Sequence, residues 1–190
     1  MEMDFIKLTL MTCLLMFSTS ATAFDVVAET GFHSGGDTLA TAASTSSGTE
    51  TLQAGDGYSF AAGIGMSMGQ KAELIFTLGI KKETIYPDAG TISFVRYPVN
   101  LLLMIKSGFW RYGLGLTAHM NPLYKEEIGT TKQSIDFKDA SGYLLDVRYV
   151  IFDDVFVAGR YTKIEYEIQN DPTTTAYDGS SIGLLVGIQF

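Results

Sequence analysis

The residues of this chain that could do chemistry are not grouped in sequence. They recur singly on short alternating segments. Glu29, Glu73, Arg96, Arg111, Asp146, Arg148 and Arg160 each sit among apolar neighbours spaced at every second position, as do His33, Asn100, His119 and Thr162. Alternate side chains of a strand point to opposite faces, so the polar groups share one face and the apolar residues the other. Carboxylates and guanidiniums gathered on one face form charge-assisted, often bidentate, hydrogen bonds. The chemistry expected of these seven charged residues is therefore a network of ion pairs. Nucleophilic catalysis would need more. His33 and His119 are the only histidines, and Ser34 and Asp37 follow His33. A Ser–His–carboxylate set requires hydrogen-bond reach, which spacing alone does not supply, and no catalytic residue is assigned. No Cys or His spacing suggests a metal. The glycines alternate along strands with no helix behind them, so no phosphate cradle and no cofactor is expected.

Eight alternating segments must position this face. The first covers about 26–43. The second, about 49–68, sets Tyr58, Phe60, Ala62, Ile64 and Met66 against Gly57, Ser59, Ala61, Gly63 and Gly65. The third presents Leu74, Phe76, Leu78 and Ile80, and the fourth Val95, Tyr97, Val99, Leu101, Leu103 and Ile105. Pro98 lacks a ladder donor and is the exceptional position there. The fifth carries Trp110, Tyr112, Leu114 and Leu116, the sixth Tyr143, Leu145, Val147 and Tyr149, and the seventh begins at Val155. The eighth ends the chain with Leu184, Val186, Ile188 and Phe190 on one face. Tight turns fall near Gly69, Ser107 and Asp153, and longer polar loops near Ser46, Pro87, Lys125 and Asp171. Segments long enough to cross a bilayer, joined by short turns on one side and long loops on the other, predict an all-β fold, an eight-stranded antiparallel transmembrane β-barrel. The first two segments overshoot, so their hairpin should project beyond the membrane. Arg or Lys facing lipid at the midplane would cost roughly 2–4 kcal/mol, so the charged face is the lumen. Eight strands enclose a space that side chains just fill. Aromatic residues near both ends fit interfacial girdles.

Composition narrows the class. With 21 acidic against 13 basic residues the chain lacks the clustered positive charge that nucleic acid requires. Residues 1–23 read as a signal peptide: Lys7, an apolar stretch from Leu8 to Phe17, then small residues ending Ala21-Thr22-Ala23. Cys13, the only cysteine, lies within it, so residues 24–190, the barrel, can hold no disulfide.

The terminal run Leu184, Val186, Ile188, Phe190 resembles the carboxy-terminal signal that the barrel assembly machinery reads in bacterial outer-membrane barrels. The chain as a whole resembles small proteobacterial outer-membrane β-barrel proteins of the outer-membrane protein A and W type, closest to an uncharacterised group of them. The segments that carry the likeness are Gly35-Gly36-Asp37-Thr38-Leu39-Ala40, Arg96-Tyr97-Pro98, Trp110-Arg111-Tyr112-Gly113-Leu114-Gly115-Leu116-Thr117, Arg160-Tyr161-Thr162 and Phe190. The resemblance implies an eight-stranded barrel exported to the outer membrane, in contact with its lipid and lipopolysaccharide, and monomeric. It supports a strand through Pro98 and supplies no catalytic residue. The expected role is structural or in envelope interaction, with the outer loops as binding surface. A narrow channel for ions or small or hydrophobic solutes is the alternative, and a lipid-modifying enzyme the third. Deleting Phe190 is predicted to impair assembly; quantifying folded protein in outer-membrane fractions checks this, and wild-type level and rate would contradict it.

Overall fold

The computed structural model describes residues 24–44, 48–88, 90–152, 154–169 and 175–190. The expected signal peptide, Asp153 in its turn and the Asn170-Asp171-Pro172 loop lie outside the described residues. Among the described residues twelve strands follow one another: β1 (Phe24–Ser34), β2 (Thr38–Ser44), β3 (Gly48–Gln53), β4 (Gly57–Met68), β5 (Ala72–Ile85), β6 (Gly90–Ser107), β7 (Trp110–Ile128), β8 (Thr131–Asp136), β9 (Ala140–Phe152), β10 (Val155–Glu167), β11 (Ala176–Asp178) and β12 (Ser181–Gln189).

Eight of them close a barrel in the order β1, β4, β5, β6, β7, β9, β10, β12 and back to β1, every neighbouring pair antiparallel. The register fixes its geometry. Partners followed once around run from Phe24 through Met66, Leu74, Leu103, Leu114, Leu145, Tyr161 and Ile182 back to Ser34. The circuit returns ten residues further along β1, the barrel's shear. Shear and strand number together tilt the strands by about 40°. Pro98 lies within the barrel wall. Pairing of β5 with β6 lapses between Leu78↔Val99 and Lys81↔Arg96, where its missing N–H would have donated. A bulge places both Asn121 and Pro122 of β7 opposite Arg96, and Asn121 takes a positive φ of 45°.

The wall is greasy outside; within, charged and polar groups share the lumen with a buried apolar cluster of Val27, Ile75, Leu102, Met104, Leu144, Phe156, Ala158 and Leu185. Exposed Ile64, Phe76, Leu101, Leu114, Leu184 and Val186 belong to one continuous belt. Phe24, Trp110, Tyr112, Tyr149 and Phe190 ring its turn end, and Phe32, Tyr58, Tyr97, Tyr143 and Tyr161 ring its loop end. From Trp110 to Met120, about ten residues at ~3.3 Å and ~40° tilt climb about 25 Å, the height of a bilayer's apolar core seen by barrels. Lys82 and Lys163 face outward just above the upper ring, where water begins.

The first two predicted segments need correction. Each is broken: β1 stops at Ser34, and β2 pairs only with β3 in a separate two-stranded sheet. Gly35 and Gly36, with φ of 136° and 87°, turn the chain out of the wall. The separate hairpin covers the loop end. Leu52 and Ala54 are fully buried against Ile85, Ile92, Phe94, Tyr124, Phe137, Ile164 and Tyr166. Above the membrane the inward face is thus an apolar core under a cap. Leu52→Ala is expected to destabilise that core by about 2–5 kcal/mol, read as a lower urea midpoint in lipid vesicles. A loss below about 0.5 kcal/mol would mean that the hairpin does not seal the barrel.

Candidate functional site in the barrel interior and at its loop end

Period-two alternation carries Glu29 on β1, Asp146 and Arg148 on β9 and Arg160 on β10 inward at neighbouring levels, and closure between β1 and β12 brings them together across the lumen. Arg160 grips Glu29 in a fork, Nη1 to Oε1 at 2.6 Å and Nη2 to Oε2 at 3.0 Å, and donates Nε to Asp146 at 2.7 Å. Arg148 donates Nε to Asp146 at 2.9 Å and Nη2 to Glu29 at 3.1 Å. Two cations and two anions form a closed ring of no net charge, all nearly inaccessible to solvent. Arg148 also lies over the Phe156 ring at 4.4 Å.

A second group closes the turn end. Glu73 receives Arg111 at 3.2 Å and Lys106 at 3.3 Å, and Gln189 donates to both Glu73 and Asp25. Arg96 stands apart from both groups. It donates to the Asp56 carbonyl and lies 4.4 Å over the Phe94 ring, with no carboxylate in ion-pair range among the described residues. The seven expected charged residues therefore all face inward, but as a ring of four, a pair with further partners, and one separate arginine.

Between the ring and the cap lies a polar layer. His33 Nε2 meets the Ser59 hydroxyl at 2.8 Å, Lys81 donates to Ser181 at 3.2 Å, and His119 Nδ1 meets the Tyr166 hydroxyl. Asn100 links Thr77 and Thr117 at 3.1 and 2.7 Å. The partner of His33 is thus Ser59, whereas Asp37 Oδ2 accepts from the Asp178 amide. A Cβ on Gly183 would lie 2.3 Å from His33 Nδ1, so the ring packs directly against backbone. His33, Ser59, Lys81, Asn100 and His119 of this layer, with Glu29 and Arg160 of the ring, border a cavity of about 20 Å³, room for a single water.

Lys81, Lys106, Asp25 and Gln189 were not among the expected network residues. The signal for Lys81 was its even spacing from Glu73 on β5, masked by the adjacent outward Lys82. At the loop end, the Ser180 hydroxyl and amide hold the Asp178 carboxyl below its ordinary range. Burial and the neighbouring Glu126 push the Tyr124 phenol up.

Arg148→Ala would leave Glu29 and Asp146 each short of a buried donor, at a cost of about 3–5 kcal/mol in urea unfolding. Arg111→Ala, at the wetter turn end where Lys106 still serves Glu73, should cost about 1 kcal/mol or less. The reverse order would mean that the ring is not the main brace.

No family model matches the chain, and no curated protein matches its sequence. Solved structures do match its shape. Neisserial surface protein A is 13% identical over 90% of this chain and 100% of its own, with a TM-score of 0.56. Ail, the attachment invasion locus protein of Yersinia pestis, solved with the heparin analogue sucrose octasulfate, is 10% identical over 88% and 99%, with a TM-score of 0.57. At such identities the likeness is one of fold: this chain is an eight-stranded antiparallel transmembrane β-barrel with the architecture of small outer-membrane barrel proteins.

Proposed function

We propose that the protein resides in the bacterial outer membrane as a closed barrel whose loop end faces the exterior and serves as an interaction surface. The observation that carries this reading is the double filling of the lumen: paired charges at membrane depth and, above them, an apolar core capped by β2 and β3. Outer-membrane lipid and lipopolysaccharide would contact the belt. The barrel assembly machinery would read β12 and Phe190.

A solute crossing the lumen would have to part the charge ring and displace the cap, so a passive channel finds less support than a scaffold. Catalysis has little support as well. His33 and Ser59 are joined, but Nδ1 of His33 has no acceptor among the described residues, and the cavity beside it admits a water rather than a lipid. The heparin analogue held by Ail suggests no equivalent ligand here. The whole chain carries a net charge of −8, and its loop end presents Asp37, Glu50, Asp88, Glu126, Glu127 and Asp139, which would repel a polyanion.

Conductance of the purified protein in planar bilayers tests this reading. The expected result is a silent barrel, shown to be folded by its heat-dependent gel mobility. Discrete steps that change on Arg148→Ala would instead establish a gated pore.

A further inference from the structure

A second pocket, of about 220 Å³, opens at the loop end beside the cap. Its walls include Leu39 of the hairpin, Ile135 of β8 and the aromatic residues Tyr124, Phe137 and Tyr177. Phe137 and Tyr177 meet edge to face at 5.9 Å, and Phe137 continues the same packing to Phe94 beneath. The floor is therefore the rigid top of the apolar core rather than a mobile loop.

One charged side chain, Glu126, lines this space. Its Oε2 accepts the Tyr124 hydroxyl at 2.9 Å. Its charge is otherwise unmatched: among the described residues no Lys or Arg comes within ion-pair distance of it. The contrast with its surroundings is informative. Glu127 is paired with Lys132 at 3.3 Å and Glu167 with Lys138 at 2.8 Å, so these two lysines of the rim are engaged elsewhere. A half-buried carboxylate left without a cation, at the edge of an apolar pocket with aromatic walls, is complementary to a ligand that is positive at one end and apolar at the other.

We propose that the loop-end pocket binds a small organic cation, an ammonium carrying one aromatic or short aliphatic group, with the ammonium on Glu126 and the apolar part between Leu39 and Ile135. The surrounding acidic loop end raises the local concentration of cations. The volume limits the body to about one ring. This deepens the interaction role proposed above and rests on it for access from the exterior, but binding itself is measurable on the isolated barrel.

The protein is extracted in a maltoside detergent and its folded state confirmed by gel mobility. It is then titrated calorimetrically with phenethylammonium, neutral 2-phenylethanol and anionic phenylacetate, with methyl NMR reporting on Leu39 and Ile135. Phenethylammonium should saturate one site, shift both methyl signals and bind at least tenfold more tightly than the alcohol. Phenylacetate should show no saturable binding. Glu126→Gln should reduce the amine to the alcohol's affinity. Glu127→Gln, which faces Lys132 outside the pocket, should change it less than twofold. Leu39→Trp, which fills the pocket from the hairpin side, should abolish both. Equal affinity for amine and alcohol, a preference that survives Glu126→Gln, or an equal loss on Glu127→Gln would overturn the proposal. A folded, silent barrel that failed these titrations would leave the proposed scaffold role intact.

Discussion

The pairing of β1 with β12 turns a sheet that would otherwise have two raw edges into a tube. In a bilayer, an unpaired edge exposes backbone N–H and C=O groups to hydrocarbon at several kcal/mol each, so closure is the condition for crossing at all. Here closure comes with a shear of ten residues, set by the partner circuit from Phe24 to Ser34. That number determines tilt, and tilt determines the bore. Every side chain pointing inward must share a space too narrow for bulk water. A buried charge in such a space has to find an opposite charge or raise the energy of the whole fold.

The charge ring answers that demand with Arg rather than Lys. The planar guanidinium offers donors in two directions, so Arg160 serves Glu29 through its fork and Asp146 through Nε, and Arg148 spans the same two carboxylates. Strands far apart in the chain are thereby stapled across the lumen, β1 to β9 and β10. The third buried arginine shows the other solution. Arg96 lacks a carboxylate in ion-pair range among the described residues, but its guanidinium rests on the Phe94 face and donates to a backbone carbonyl where the polar layer meets the cap. It marks the boundary between two interiors.

Those two interiors follow different rules. At membrane depth the wall is apolar outward, because lipid is the solvent, and its inward face alternates charged and polar groups with a buried apolar cluster that includes Val27, Ile75, Leu102, Met104 and Leu185. Beyond the upper aromatic ring the same strands continue as a conventional soluble core, apolar inward with Lys82 and Lys163 outward. The switch occurs within single strands. On β6 the inward series runs Phe94, Arg96, Pro98, Asn100, Leu102 and Met104, apolar to polar to apolar, while β10 passes from Arg160 and Thr162 to Ile164 and Tyr166. The result is a rigid platform standing above the membrane, which gives the loop end the fixed shape a binding surface needs.

The sequence alone determined the faces. A period of two, the terminal alternation to Phe190 and the cost of a charge in lipid were enough to place Glu29, Glu73, Arg96, Arg111, Asp146, Arg148 and Arg160 inside and to predict eight antiparallel strands, because strand geometry is a local property of the backbone. What the sequence did not hold was which charges meet. Arg160 and Glu29 are separated by most of the chain, and their contact exists only because the shear brings β1 and β10 to matching levels. Nor did alternation reveal that segments 26–43 and 49–68 each break. The pattern of side chains runs on past Ser34, and the separation of the hairpin depends on positive φ at Gly35 and Gly36 and on the space above the barrel that Leu52 fills. The same holds for the pocket beside Glu126, whose walls come from five separate stretches of chain. Local periodicity sets which way a side chain points; only closure of the tube sets what it points at.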